Sequence, residues 1–369
     1  MASTLMTMGA HVPAGLASSS ALQRLRAAVA PLPAAISDWI YLECRLGETD
    51  GAVDAVIEIE EPGRAILAGE CRGAVLPPAF LAHPAWRGVG DLCRAWGDRT
   101  STLHDCIDHI WLELDVPVRR TMESMPVPGV FVCFGELPTA TFSADSWHRQ
   151  SLLALEVLRG SPPTGPFTAC LDRCLQALPP GAYVPYIGCM LGRPRSPVRL
   201  CIVGISEDGL TAYLDAVGWP GDTAQIRDLT SGISATRTSH AVPGCGMVHL
   251  DVGHTVGPCL GLEYRFDRAT QYRGEAPEQD FLAGLQRRRL CHPAKRQALG
   301  EWFGYSYESF SHHLWRSLVV RRLNHVKVTS SNGQVEAKAY VLFCSQPHQE
   351  GRRPLRRPAA RVHMRGAVP

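Results

Sequence analysis

Apolar and polar residues alternate most strictly near the end of the chain, on either side of Asn332-Gly333. An Asn-Gly pair between two alternating runs is typical of a β-hairpin with a two-residue turn. The turn pins the register and predicts these facing pairs on the polar side: His325 with Tyr340, Lys327 with Lys338, and Thr329 with Glu336. Two lysines opposed across strands destabilise a sheet by about 0.2–1 kcal/mol. We therefore expect either Glu336 or a bound anion between them.

Similar alternation recurs in earlier stretches, so the pattern predicts five hairpins in all. The first four are 40–46 with 53–60, 110–116 with 130–134, 183–191 with 198–205, and 248–252 with 259–267. Apolar residues at helical spacing predict helices at 78–98, 147–159, 167–178, 207–217, 223–233, 279–289, 294–303 and 308–323. Two helices usually separate successive hairpins, which defines a repeating strand-strand-helix-helix unit.

Five such units predict an α+β fold in which ten antiparallel strands close into a barrel with the helices outside. Closure removes exposed sheet edges, and ten strands leave room for an internal cavity that eight would fill with side chains. We expect a flexible segment with a short helix at 1–39, the barrel domain at 40–344, and a disordered basic tail at 345–369. The alternative is two open α+β sheets joined near 162–166.

If the apolar alternates face the helices, the other side of each strand faces the barrel interior. This side is rich in ionisable and aromatic residues: Tyr41, Glu43, Arg45, Asp54, Glu58, His109, Trp111, Glu113, Asp115, Arg199, His249, Asp251, Glu263, Arg265, His325, Lys327, Glu336, Lys338 and Tyr340. Charges in an enclosed interior are costly unless they are paired or solvated. The pattern therefore favours a wet, ligand-binding interior over a dry packed core.

Composition is that of an ordinary globular protein, with 369 residues of which 45% are hydrophobic and 20% charged. A formal charge of +2 argues against nucleic acid as a partner. The 13 cysteines include no Cys-x-x-Cys pair, and most lie in apolar runs, which indicates a reducing compartment. No signal-like start and no apolar run of about 20 residues is found, so we expect a cytoplasmic protein without a membrane span.

Lys338-Ala-Tyr340 and Tyr41-Leu-Glu43 resemble strand motifs of the ABBA-type aromatic prenyltransferases, a family whose ten-stranded barrel encloses a solvent-filled chamber. The resemblance implies transfer of a prenyl group from an allylic diphosphate to an aromatic or peptide acceptor, without a cofactor or a compulsory metal. It also implies that Lys338 and Tyr340 hold the diphosphate and that Glu43 is the base. The middle hairpins lack the Lys-x-Tyr or Arg-x-Tyr pairs of that family.

Other residues of the polar side fit the same chemistry. Cations that would complete a shield around the diphosphate are Lys327, Arg199 and Arg265. Aromatic rings that would shield a carbocation by cation–π contact are Trp111, Tyr340 and Tyr41, although aromatic side chains in a barrel more often serve packing. The chain contains no Asp-Asp-x-x-Asp cluster for magnesium.

Two weaker patterns suggest metal ligation. His249-x-Asp251, and His109 with Glu113 and Asp115, each place imidazole and carboxylate on one strand face, which suits zinc or iron. Neither pattern supplies a third ligand by spacing, so hydrogen-bonded histidines are the favoured interpretation and no metal site is predicted.

The remaining candidates are interpreted structurally. His312-His313 is expected on a helix surface or at a contact between helix and barrel, and Cys245 in a loop without a neighbouring base. A function from a different class also fits the polar interior. It is a non-catalytic barrel that binds a small molecule or a partner protein of a biosynthetic pathway.

Overall fold

The computed structural model describes residues 1–49, 53–116, 125–135, 144–193, 197–234, 245–266 and 277–347. The strands in these ranges are β1 (Trp39–Arg45), β2 (Val53–Ile59), β3 (His109–Leu114), β4 (Gly129–Cys133), β5 (Tyr183–Met190), β6 (Val198–Val203), β7 (Met247–Val252), β8 (Val256–Arg265), β9 (Gly304–Glu308), β10 (Ser317–Ser331) and β11 (Gln334–Pro347). The α-helices are α1 (Ala2–Gly9), α2 (Ser19–Val29), α3 (Gly63–Ala68), α4 (Pro78–Ala82), α5 (Pro84–Gly97), α6 (Ala144–Arg159), α7 (Gly165–Gln176), α8 (Glu207–Val217), α9 (Thr223–Ser234), α10 (Pro277–Arg287) and α11 (Pro293–Trp302).

Ten of the strands form a closed antiparallel barrel. Strands β1 to β8 pair in chain order, β8 pairs with β10, β10 with β11, and β11 returns to β1. Strand β9 lies outside this ring, on the first part of β10. The predicted α+β fold with a closed ten-stranded barrel is confirmed, and the alternative of two open sheets is wrong.

The register of the last hairpin is the predicted one. Lys327 faces Lys338, and the other two expected pairs face each other as well. Asn332 has a φ of 50° and Gly333 a φ of 76°, which are the left-handed conformations that a type I′ turn requires. Further from the turn, a bulge at Asn324 shifts the pairing by one residue.

The predicted helix at 308–323 is wrong. Strand β9 ends at Glu308, and β10 already begins at Ser317. Residues 317–321 pair with β9 on one side and β11 on the other, so neighbouring strands satisfy their backbone polar groups. The β-branched Val319 and Val320 also favour an extended backbone. Pairing between distant segments decided the conformation here, and the local apolar spacing did not.

The N-terminal 39 residues contain two α-helices and a short 3-10 helix at Ala34–Ile36, where the sequence predicted a flexible segment with one short helix. Leu5 and Met8 of α1 and Leu25 of α2 are buried in the main apolar core, and the Ser18 hydroxyl caps α2 by accepting a hydrogen bond from Ala21 N. At the other end, β11 continues beyond the predicted boundary at 344. Residues 348–369, most of the predicted basic tail, lie outside the described residues.

The strands turn their apolar alternates toward the helices. Leu42 of β1, Leu112 of β3 and Leu200 of β6 are fully buried in one continuous core with residues of the surrounding helices. The opposite strand faces enclose the polar interior. Within the described ranges, no helix is both long and apolar enough to cross a lipid bilayer.

The two ends of the barrel differ. Neighbouring strands are antiparallel, so the first strand of each of the five hairpins finishes, and the second strand begins, at the same end of the barrel. We call this the turn end. The opposite end, where β1 begins at Trp39 and β11 finishes, is called the base.

Candidate functional site

A cavity of about 610 Å³ occupies the barrel interior, and we call it the chamber. It extends to the turn end, where Glu48 and Ser331 line it. Its acidic lining residues are Glu43, Glu48, Asp54, Glu113, Asp115 and Glu336, and its basic ones are Arg45, Arg193, Arg199, Lys327 and Lys338. The chamber is therefore a charged space in which opposite charges nearly balance.

Glu43 is the centre of a buried network. It faces Tyr340 across the β1–β11 pair that closes the barrel. Lys338 Nζ lies 2.7 Å from Glu43 Oε1, and the Tyr340 hydroxyl donates to Glu43 Oε2. Burial alone would raise the pKa of Glu43, but Lys338 and Lys327 outweigh it and hold this pKa well below its usual value. Glu43 is consequently an ionised carboxylate.

Lys327 and Lys338 differ in their partners although they face each other. Lys338 has Glu43 at 2.7 Å and Glu336 at 3.4 Å, so the acid expected beside the lysine pair comes mainly from β1. Lys327 Nζ instead lies 4.9 Å from the centre of the Tyr340 ring, a cation–π contact. No carboxylate is within ion-pair distance of Lys327 in the described part of the chain, although its charge acts on Glu43 and Glu113.

The predicted arginines have different positions. Arg199 lines the chamber and makes two hydrogen bonds to Asp251, of 2.7 and 3.1 Å. Burial opposes its charge, but Asp251 raises the pKa of Arg199 above its already high value. Arg265 donates to Glu263 at 2.7 Å nearer the base and does not belong to the chamber lining. The structure therefore brings Lys327, Lys338 and Arg199 to the chamber, but not Arg265.

The predicted aromatic residues lie one step further from the turn end than Lys327 and Lys338. Tyr41 and Trp111 have ring centres 4.7 Å apart, and Tyr340 belongs to the same cluster. The Tyr41 hydroxyl donates to Glu58 at 3.3 Å. Trp111 Nε1 is buried without a hydrogen-bond partner among the described residues. A cluster of aromatic rings thus lies below the two lysines, with the buried Glu58 beside it.

Two further carboxyl groups of the chamber, Asp54 and Glu113, were predicted to face inward but were given no part in prenyl transfer. Burial and the nearby Glu43 raise the pKa of Asp54 to about 7, even though Val116 N donates to Asp54. Burial and Glu43 also raise the pKa of Glu113. The sequence held a signal for Asp54, because the first hairpin sets it directly opposite Glu43.

The histidines of the two patterns considered for metal ligation have other partners, and His109 Nδ1 lies 2.9 Å from Asp108 Oδ2. His249 Nε2 is 3.0 Å from Glu263 and its Nδ1 is 3.4 Å from Cys201 Sγ. Asp251, its expected companion, pairs with Arg199. Burial lowers the pKa of His249 to about 4. His249 is therefore a hydrogen-bonded histidine, as the favoured interpretation of the sequence had it.

Comparisons with known proteins concern the fold. No family model matches the chain, and no curated protein matches it. Solved structures that are similar include prenyltransferase PriB in a ternary complex with L-tryptophan and dimethylallyl thiolodiphosphate, at 15% identity, a TM-score of 0.46, and coverage of 93% of this chain and 94% of that one. Another is 5-dimethylallyltryptophan synthase from Streptomyces coelicolor, at 13% identity, a TM-score of 0.45, and coverage of 93% and 95%.

AnaPT from Neosartorya fischeri is similar at 11% identity, a TM-score of 0.48, and coverage of 95% of this chain and 93% of that one. The strand pairing of this chain itself establishes the closed, helix-wrapped ten-stranded barrel. This is the fold expected from the resemblance to the ABBA-type prenyltransferases.

Proposed function

We propose that the chain transfers a prenyl group from an allylic diphosphate to an aromatic or peptide acceptor inside the chamber. The observation that carries the proposal is the layered interior, in which Lys327 and Lys338 lie directly above a cluster of aromatic rings. Ionisation of an allylic diphosphate yields an anion and a carbocation. A cationic layer next to an aromatic layer suits both products.

The cationic layer would hold the diphosphate. Lys327 forms no ion pair among the described residues, so it could bind the diphosphate without breaking one. Lys338 and Arg199 would have to weaken or break their ion pairs with Glu43 and Asp251. The raised pKa values of Asp54 and Glu113 favour their neutral forms, which tips the balance of the chamber toward positive charge. Since these side chains supply the positive charge, the proposal assigns no metal and no other cofactor to the chamber.

The proton released by the acceptor would go to Glu43. In the free protein Lys338 keeps the pKa of this carboxylate low. A diphosphate that attracts the Lys338 ammonium group would weaken that contact and raise the pKa of Glu43, because the stabilising charge is then shared. Binding of the donor would thereby make Glu43 a stronger base at the step in which a base is needed.

The aromatic layer would surround the prenyl chain. Tyr41, Trp111 and Tyr340 present ring surfaces that would stabilise a carbocation by cation–π contact. The buried Trp111 N–H, which lacks a partner among the described groups, is suited to an oxygen atom of a ligand.

Lys327→Met tests the proposal at the chamber lysine that forms no ion pair among the described residues. The substitution leaves no ion-paired carboxylate behind, so we expect the fold to persist and the affinity for dimethylallyl or geranyl diphosphate to fall about tenfold or more. Calorimetry measures affinity, and product formation with indole and phenol acceptors measures turnover. Arg87→Ala, which removes an exposed charge on α5, is the control and should change neither.

The proposal fails if the unaltered protein neither consumes nor binds either diphosphate, judged by turnover and melting temperature. A non-catalytic binding barrel is the second candidate. It is favoured by the ion pairs of Lys338 and Arg199, because cations already neutralised by carboxylates need no anionic ligand. Binding of an anion or an acceptor without any turnover would support that second candidate.

A further inference from the structure

We propose that Asp38, His312 and His313 form a binding site for a divalent transition-metal ion of the zinc class at the base of the barrel. The site is separate from the chamber, and the proposal does not depend on prenyl transfer. Asp38 immediately precedes β1, while the two histidines belong to the connection between β9 and β10. Asp38 is thus 274 positions from His312 in sequence, and it meets the two adjacent histidines only in the folded barrel.

The donor atoms have a separation that suits one metal ion. Asp38 Oδ1 lies 3.2 Å from His312 Nε2 and 2.9 Å from His313 Nε2, and all three donor atoms lie within 4.8 Å of one another. For metal–ligand bonds of about 2.0–2.1 Å, adjacent corners of a tetrahedron are about 3.3 Å apart. An ion therefore fits among them after small side-chain movements.

Neighbouring groups orient the donors. Ser317 Oγ bonds to His313 Nδ1, which leaves Nε2 of that ring directed at Asp38. Ser345 Oγ donates to Asp38 Oδ1 at 2.7 Å. Hydrogen bonds of this kind fix the tautomer of a ligating imidazole and the orientation of a ligating carboxylate. His313 and Asp38 thus have the outer contacts found around metal sites, whereas His312 Nδ1 has no hydrogen-bond partner among the described residues.

Burial and charge are consistent with an ion that enters from solvent. The side chains of His312 and His313 are only 9% and 8% exposed, whereas that of Asp38 is 33% exposed, so access is from the carboxylate side. An ionised carboxylate with two imidazoles is a donor set for Zn²⁺, Co²⁺ or Fe²⁺.

The ion would join three parts of the fold. Asp38 lies at the start of β1, and Ser345 N donates to Asp38 O at 3.0 Å, which links the site to β11. Phe310 packs within 5.7 Å of the His313 ring centre and 6.4 Å of that of Phe343. Metal binding would hold the β9–β10 connection against the closing pair of strands, so it should stabilise the folded protein.

Cobalt is the probe for the experiment. The full chain is freed of metal by a chelator and dialysed, and Co²⁺ is titrated while the visible d–d absorption is followed. We expect one tightly bound Co²⁺ per chain, displaced by one Zn²⁺, and a melting temperature that rises with either ion. His312→Gln and Asp38→Asn retain hydrogen-bonding capacity, and we expect each to weaken Co²⁺ binding at least tenfold while circular dichroism shows an unchanged fold.

Two matched variants make the result specific. His254→Ala removes an exposed histidine elsewhere and should leave Co²⁺ binding unchanged. His109→Ala tests the other cluster of donors, formed with Asp108 and Cys133. The proposal is overturned if Co²⁺ does not bind stoichiometrically, if the Asp38 and His312 variants bind it as tightly as the unaltered chain, or if only His109→Ala abolishes binding. In each of these cases the three residues are a hydrogen-bonded clasp.

Discussion

At the scale of single residues, the chamber is governed by how each charge is compensated. Glu43 is 3% exposed and is held by Lys338 and Tyr340. An ionised carboxylate at such a depth is stable only while its partner remains. Under the proposed function, a bound diphosphate would compete with Glu43 for the Lys338 ammonium group and weaken this ion pair. Stability and function are therefore linked at this one contact.

Lys338→Ala should destabilise the protein by about 3 kcal/mol at neutral pH, since it leaves Glu43 as an unpaired buried charge. The double variant Lys338→Met with Glu43→Gln should recover most of this loss, because neither charge remains. Urea denaturation of the two variants measures the difference. Equal destabilisation of both would show that the ion pair is not what stabilises this part of the barrel.

Asp54 predicts how stability depends on pH. Its folded pKa of about 7 lies above the ordinary value of 3.8, so the folded state binds the proton more tightly than the unfolded state. The stabilisation from Asp54 is complete below about pH 3.8 and is lost as pH rises through about 7. Asp54→Asn should therefore flatten the fall in melting temperature between about pH 4 and about pH 7. An unchanged pH profile would contradict the raised pKa.

At the scale of elements, helix contacts outside the barrel depend on close approach. Gly88 of α5 lies against the backbone of Leu158 in α6, and an added Cβ there would collide with the Leu158 carbonyl oxygen. The helix pair α5–α6 is thus packed at a distance that only glycine permits. Gly300, within α11, has ordinary space around it, with Gln279 Nε2 at 3.6 Å.

Gly88→Ala should lower the free energy of unfolding by about 1–3 kcal/mol through overpacking. Gly300→Ala is the matched control and should raise it by about 0.5–1 kcal/mol, because alanine is the better helix former. Chemical denaturation of both variants measures the two effects. The packing explanation fails if the two substitutions shift stability in the same direction.

Element prediction succeeded where the pattern was local. The last hairpin could be predicted from its Asn-Gly turn, and helices such as α8 from their apolar spacing. It failed at 308–323, where β9 and β11 provide the backbone partners of a strand. Hydrogen bonds to distant segments cannot be seen in local spacing, and here they determined the conformation.

At the scale of the whole molecule, closure of the sheet creates the site. Contact between β1 and β11 brings the first and last hairpins together and places Glu43 beside Lys338 and Tyr340. The same closure surrounds a chamber of about 610 Å³. An open sheet with identical strands would expose these charges to water, where their interactions are weaker.

The sequence by itself determined which side chains share a strand face, because alternation has a period of two and the Asn-Gly turn pins the final register. That was sufficient to predict the barrel and the polar interior. Only the tertiary structure decided which charges pair, which of the predicted cations reach the chamber, and that Asp38 meets His312 and His313 at the base. These contacts join residues far apart in the chain, so they exist only once the barrel has closed.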